Sequence, residues 1–342
     1  MDFYYFIKNL WKKDFNLIPH SKVKFLSKLL LHLIFGTNLR FYGKRAISKF
    51  PIPKKIKIKH DPKKNLILIG TNTGLYIKDS NDFFTCVIEN VGGFFGLDHH
   101  KGIYYVACNG SAHTKGCIYS FKIKDNEVYD FKIVFKKRFQ YFHGLKIFED
   151  NLFLVDSSWL MNHKIIHKFK INNHGLKKIS SNHIDVSTKK DLNKFCHINS
   201  ISFYKDKVYL LFHNMTEYTR INSEVLVFDK NFKFSEKLKF EEDLNSAHDF
   251  SISNKGKCIL DSNNSILYFN NLKIKLEDYF IRGYIEDKEK LFIGLNLKKK
   301  DKKFKTDTSG IAELNKSNHR LSLIRKIKCP FNSINSLLKI DT

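Results

Sequence analysis

Only seven of the sixty basic residues in this 342-residue chain are arginine, and it has just five prolines and three methionines. Base edges in nucleic acid are read mainly by bidentate guanidinium forks, so a chain this poor in arginine is not expected to have a specific nucleic-acid partner. Few prolines together with 42% apolar and 14% aromatic residues exclude a disordered polymer and leave ample material for a packed core. The six cysteines (Cys86, Cys108, Cys117, Cys196, Cys258 and Cys329) contain no CxxC pair. Most fall inside or at the ends of apolar strands, which favours buried, reduced thiols over disulfides or zinc. The first residues lack the short basic region, apolar run and small-residue cleavage site of a secretory signal, so a cytoplasmic protein is expected.

Acidic residues are also scarce, and the formal net charge is +26. Half of it lies in the first 64 residues, where sixteen Lys/Arg face three Asp. Residues 1–60 read as a basic helical arm and linker. Between Ser21 and Gly36, Phe25, Leu26, Leu29, Leu30 and Leu33 recur at helical spacing, with Lys24, Ser27, Lys28 and His32 towards the other face. Ser21 is the expected N-cap and Gly36 the stop. Apolar runs in this segment reach only three residues, far short of the roughly 20 needed to cross a bilayer. The helix is expected either to pack on the body of the protein or to lie peripherally on an anionic membrane surface, helped by Phe3, Tyr4, Tyr5, Phe6 and Trp11. The Lys54–Lys64 stretch, broken by Pro51, Pro53 and Pro62 around it, reads as the linker.

Beyond the arm, short apolar strands begin six times beside a small or polar residue. The starts are Phe95-Gly96-Leu97, His143-Gly144-Leu145, Asn199-Ser200-Ile201, His248-Asp249-Phe250, Arg282-Gly283-Tyr284 and Asn335-Ser336-Leu337. Their first positions are separated by 48, 56, 49, 34 and 53 residues. Strand repeats with periods near 40 to 50 residues imply an all-β, six-bladed β-propeller, here spanning residues 61–342. Five complete four-stranded repeats follow one another from residue 96 to residue 328. Three strands are left at the front (66–70, 74–77 and 83–88) and one at the end (336–340), which together make the sixth blade. Closure by this C-terminal inner strand would leave no open seam in the ring.

In such a ring the first strand of each blade lines the central channel, so the six starts converge although they are distant in sequence. They supply His143, Asn199, His248, Arg282 and Asn335, with His197 pointing the same way two residues before Asn199. Loops between second and third strands add His113, Trp159, His213 and Arg220, together with Asn72, Asn109, Asp156, Asp261 and Asn296. Arg282 suits a carboxylate, sulfate or phosphate group, because its planar fork offers five donors. His143, His197 and His248 are the candidate catalytic residues, acting as bases or nucleophiles. Arg282, Asn199, Asn335, His213, Arg220, Trp159 and His113 are the candidate substrate-binding residues. A divalent metal on His143, His197 and His248, completed by Asp249 or Asp261, is the alternative use of the cluster. No local spacing such as HxxxH supports it, so no cofactor is assigned. A Ser/His/Asp triad is not visible in the spacing, and Ser200 and Ser336 stand where other blades have glycine, as small spacers.

Two stretches resemble the bacterial arylsulfotransferase propellers: Cys196-His197-Ile198-Asn199-Ser200-Ile201, and Ala247-His248-Asp249-Phe250 followed by Asn254-Lys255-Gly256. The resemblance implies histidines around a sulfuryl group at His197 and His248. The arginine that the family carries at the end of the following strand is replaced by Phe212-His213-Asn214. The histidine-headed and Arg-Gly-headed strands are similar to those of uncharacterised bacterial six-bladed propellers as well. The expectation is therefore a top-face pocket for an anionic small molecule, sugar acid or glycan, in a monomer, with a His/Arg site fit for a transferase, lyase or hydrolase. The competing expectation is a non-catalytic scaffold propeller docked on a membrane surface or a protein partner.

Overall fold

The computed structural model describes residues 51–58 and 66–340, except 90–91, 111–114, 139–140, 159–162, 174, 185–196, 216–219, 241, 255, 299–308 and 318–319. Of the first fifty residues it gives only two paired two-residue strands, Arg40–Phe41 and Lys44–Arg45. The amphipathic segment Ser21–Gly36 lies outside the described residues.

The protein is an all-β propeller of six blades. Blade 1 comprises Gly92–His100, Ile103–Gly110, Lys115–Lys124 and Glu127–Arg138. Blade 2 runs through Phe142–Phe148, Asn151–Ser158, His163–Asn172 and Gly175–His183, and blade 3 through His197–Tyr204, Lys207–Met215, Arg220–Asp229 and Phe234–Lys237. Blade 4 packs four short strands between His248 and Lys275; blade 5 has Tyr279–Glu286, Lys290–Leu297, Gly310–Ser317 and Arg320–Lys328. In blade 6, Ser336–Lys339 is the innermost strand and pairs antiparallel with Ile67–Gly70, which continues into Gly74–Lys78 and Phe84–Glu89. The six innermost strands touch one another in order, and the last touches the first.

The inner strands of blades 1, 2, 3 and 5 start earlier than the apolar pattern suggests, at Gly92, Phe142, His197 and Tyr279. The reason is a β-bulge at the repeat motif. Pairing with the second strand is interrupted between Phe94 and Gly96, Phe142 and Gly144, Ile198 and Ser200, His248 and Ser251, and Ile281 and Tyr284. The skipped residues are Phe95, His143, Asn199, Asp249 with Phe250, and Arg282 with Gly283. A bulge inserts an extra residue opposite one partner and re-aims its side chain, so the repeat seen in the sequence is, in blades 1 to 5, a repeated bulge.

Close approach of neighbouring blades fixes the small residue after the bulge. A Cβ on Gly96 would sit 2.4 Å from the backbone nitrogen of Leu145 in blade 2. Gly283 has φ +73°, in the left-handed region that glycine enters without steric cost. Elsewhere side chains tie the inner strands together. Ser200 Oγ accepts from Phe250 N (3.1 Å), Asp249 Oδ2 from Gly283 N (2.7 Å), and Ser336 Oγ donates to Phe94 O (3.4 Å). Thus Ser200 and Ser336 are spacers that also hydrogen-bond across the seams, and Asp249 is a clamp between blades 4 and 5.

Between the blades, apolar faces from adjacent sheets share cores, such as Leu152, Leu154 and Phe169 of blade 2 with Ile118 and Tyr105 of blade 1. On the outside, Arg325 of blade 5 bonds Glu313 and reaches Asp82 of blade 6, each at 2.6 Å. The outer strand of blade 1 carries a fifth strand, Ile56–Lys57, and Tyr119 Oη donates to Pro51 O (3.0 Å). Part of the expected linker is therefore docked on the propeller. Among the described cysteines all are free; Cys108, Cys117, Cys258 and Cys329 are buried, but Cys86 is exposed, and Cys196 lies outside the described residues.

Candidate functional site

In blades 1, 2, 4 and 5 an equivalent position at the end of the second strand hydrogen-bonds to the next blade. Asn109 of blade 1 both donates to Phe142 O (2.7 Å) and accepts from Phe142 N (2.6 Å). Ser157 of blade 2 accepts from Ile198 N (2.8 Å), and Ser262 of blade 4 donates to Ile281 O (2.6 Å). Asn296 of blade 5 donates to Ile334 O (2.8 Å) and accepts from Ile334 N (2.5 Å). Asn109 and Asn296, expected among the loop residues around the channel head, are thus inter-blade clamps. Blade 3 departs from the pattern because this position is His213. There Ser223 Oγ accepts from Ala247 N (2.8 Å), and Asn199 Nδ2 donates to Ala247 O (3.0 Å). With the clamp displaced to these two residues, His213 is left to join the other imidazoles.

Four imidazoles form a continuous row across three blades. Ring centroids are 4.9 Å apart for His143–His197, 4.9 Å for His197–His213 and 4.8 Å for His213–His248. Phe280 closes one end against His248 at 5.2 Å; Tyr141 and Phe95 close the other against His143 at 4.5 and 5.7 Å. The Arg282 guanidinium stands over the Phe95 ring, 5.3 Å from its centroid, spanning blade 6 to reach blade 1. This cation–π contact sets the position of the guanidinium. All four histidines are buried, whereas Arg282, Phe95, Phe280 and Tyr141 are partly exposed.

Hydrogen bonds fix the state of two of these rings. Asn199 Nδ2 donates to His213 Nε2 (2.5 Å), so Nε2 carries a lone pair and Nδ1–H faces Ser223 Oγ (2.9 Å). His213 is neutral in this arrangement, and its nitrogens are taken up inside blade 3. His248 Nδ1 lies 2.8 Å from Ser246 O, a carbonyl that can only accept, and 2.8 Å from Ser262 Oγ. Nδ1 therefore carries the proton, and Nε2 is the basic nitrogen.

Asp249 adds a carboxyl beside the guanidinium. Burial raises its pKa above the ordinary carboxylate range, outweighing the Gly283 N–H and Arg282, which pull it down. A carboxyl whose folded pKa is raised costs stability as pH climbs from its unfolded value through its folded one. Asp249→Asn keeps an acceptor for Gly283 N and removes the charge. The variant is expected to melt higher than the wild type at pH 7, with the difference closing as pH falls towards about 4; thermal melts across that range check it. Asp261, also raised by burial, leaves a slope of the same sign in both proteins.

Of the other expected residues, Asn335 sits at the head of blade 6 and donates from Nδ2 to Asn72 Oδ1 (2.9 Å). Arg220 begins the third strand of blade 3, but its side chain, like Trp159 and His113, lies outside the described residues. No group of three or more His, Cys, Asp or Glu among the described residues is arranged to hold a metal ion. Tyr141 and Phe280 were not singled out by the sequence, although Tyr141 precedes its bulge by two residues, as His197 does.

A Ser/His/Asp chain, not visible in the spacing, does exist away from the channel. Asp156 Oδ2 lies 3.2 Å from His167 Nε2, and His167 Nδ1 lies 2.8 Å from Ser181 Oγ. Asp156 also accepts from Tyr141 N (3.0 Å).

No family model and no curated protein matches the chain. Solved structures similar to it include a luciferin-regenerating enzyme, at 11% identity over 80% of this chain and 83% of that one, with a TM-score of 0.49. TolB from Acinetobacter baumannii is similar at 9% identity over 91% of this chain and 70% of that one, with a TM-score of 0.49. A functionally unknown protein from Desulfotomaculum acetoxidans is similar at 11% identity over 86% of this chain and 91% of that one, with a TM-score of 0.46. Among the described residues no helix is long and apolar enough to cross a membrane.

Proposed function

We propose that the head of the central channel binds an anionic small molecule, such as a sugar acid, with Arg282 holding the anion and His248 Nε2 serving as acid/base. The observation that carries this reading is the unbroken row of imidazoles from His143 to His248, flanked by a guanidinium stacked on Phe95. An aromatic rim with a few convergent polar groups is the usual make-up of a small-molecule site. His213, held by Asn199 and Ser223, is a positioning residue that sets the angle of His197 and His248 on either side. His143 and His197 complete the wall against which a substrate hydroxyl would lie.

The test is thermal stabilisation by glucuronate, galacturonate, phosphate and sulfate, measured on the wild type, Arg282→Ala and Arg282→Lys. A ligand at 100 times its Kd stabilises by about 2.7 kcal/mol, enough to raise the melting temperature visibly. The wild type is expected to respond to at least one anion. Arg282→Ala should weaken that response about 10- to 100-fold with little change in its own melting temperature, and lysine should restore only part of it. A wild type indifferent to every anion, with Arg282→Ala strongly destabilised, would instead support a channel plugged by structural polar groups.

A further inference from the structure

The blade 1–blade 2 seam holds a second constellation, outside the row of imidazoles at the channel head. His167 and Ser181 are direct cross-strand partners in blade 2, and Asp156 lies on the neighbouring strand, two residues from Leu154, which faces His167. Side chains alternate along a strand, so all three project from the same face of the sheet, towards blade 1. The outer strand then carries a bulge: Lys168 pairs with Ser180 and Phe169 with Lys178, leaving Ile179 extra. The bulge changes the spacing so that Lys178, three residues before Ser181, shares its face. Bulges of this kind accumulate beside active sites, where they re-aim a side chain.

The three residues differ in access in the way a nucleophilic relay requires. Asp156 and His167 are 0% and 1% exposed, whereas Ser181, on the outermost strand, is exposed. Phe135 of blade 1 and Phe169 stand 6.2 and 6.3 Å from the imidazole, edging it with apolar surface. Burial depresses the His167 pKa despite Asp156, and Lys178 and Lys137 push the same way, so the imidazole is neutral at pH 7 and able to take a proton. Lys178 is itself lowered, by burial and then by Lys137, which places two ammonium groups near one another beside this pair.

We propose that Ser181, His167 and Asp156 form a second catalytic site that hydrolyses small carboxylic esters bearing a negative charge. His167 Nδ1 takes the Ser181 hydroxyl proton as Oγ bonds to the ester carbonyl carbon. The tetrahedral oxyanion lies beside Lys178 and Lys137. The carbon–oxygen bond to the leaving alcohol breaks, and His167 returns the proton to the departing oxygen. Water then attacks the acyl-serine by the same route and releases the acid, so no further reactant is required. Asp156 orients the imidazole and stabilises its positive form, here through Nε2 with the serine on Nδ1. The roles, not the choice of nitrogen or the chain order, define such a triad.

The experiment is labelling of the full chain with a fluorophosphonate, which phosphonylates an activated serine, followed by peptide mass spectrometry. Adduct is expected on the peptide containing Ser181 and should disappear in Ser181→Ala, which alters only an exposed side chain. Asp156→Asn keeps an acceptor for Tyr141 N but presents the imidazole in the wrong tautomer, and should slow labelling at least about 100-fold with the protein still folded. Adduct absent from Ser181, or formed equally fast in Asp156→Asn and His167→Gln, would overturn the proposal.

Discussion

A chain ending at Ile334 is expected not to fold. Removing Asn335 to Thr342 deletes the innermost strand of blade 6 and with it the pairs Ser336–Gly70, Leu337–Ile69, Leu338–Leu68 and Lys339–Ile67. It also takes away the bonds from Asn335 N to Gly70 O and from Ile340 N to Leu66 O. Leu337 and Ile340 are buried at 7% and 2% exposure. Burying such side chains stabilises by about 1.5–3 kcal/mol each, and each lost hydrogen bond costs about 1 kcal/mol more. The total approaches the whole stability of about 5–15 kcal/mol that a domain has. Ile67–Gly70, buried throughout, would become an open edge facing the channel, prone to pair with another chain. Circular dichroism and size exclusion should show a molten or aggregated product. A truncated chain that melts cooperatively at the wild-type temperature would mean that this strand does not hold the ring together.

Asp156→Ala is expected to cost about 2–6 kcal/mol, because it leaves two neutral hydrogen-bonding groups without their acceptor at about 1–3 kcal/mol each. Its carboxylate accepts from Tyr141 N and lies against His167 Nε2, and with Asp156 and His167 at 0% and 1% exposure the imidazole has no water to turn to. Asp156→Asn should cost much less, because an amide oxygen still serves Tyr141 N. The loss in Asp156→Ala would also reach the channel, since Tyr141 packs edge-on against His143. His167 adds a pH signature. With its pKa depressed by burial, the protein loses stability as pH falls from about 6.5 towards the lower folded value, because the unfolded chain binds the proton first. Urea melts at pH 5 and pH 7.5 measure both effects, and equal stability of the alanine and asparagine variants would contradict the assignment.

The ring and the convergence of its strand heads were legible because the strand-head motif repeats with a recognisable chemistry: an aromatic or polar residue, then glycine or serine where the next blade comes close, with Asp249 in that place in blade 4. What lies one strand further out was not legible. Asn109, Asn296 and His213 occupy the same position in their blades, and only the hydrogen bonds reveal that the first two clamp blades while the third joins the imidazole row. The Asp156–His167–Ser181 chain depends on cross-strand register and on a bulge at Ile179. Neither is encoded in a local spacing of 11 and 14 residues. Tyr141 and Phe280 read as ordinary strand aromatics until the ring brings them against His143 and His248.

The most direct measurement is a crystal structure grown with selenate, located by its anomalous signal. An anion within about 3 Å of the Arg282 guanidinium is the result expected from charge-assisted hydrogen bonding at the channel head. A channel head in which the Arg282 fork is closed off by protein groups, with selenate bound only at surface lysines, would contradict it.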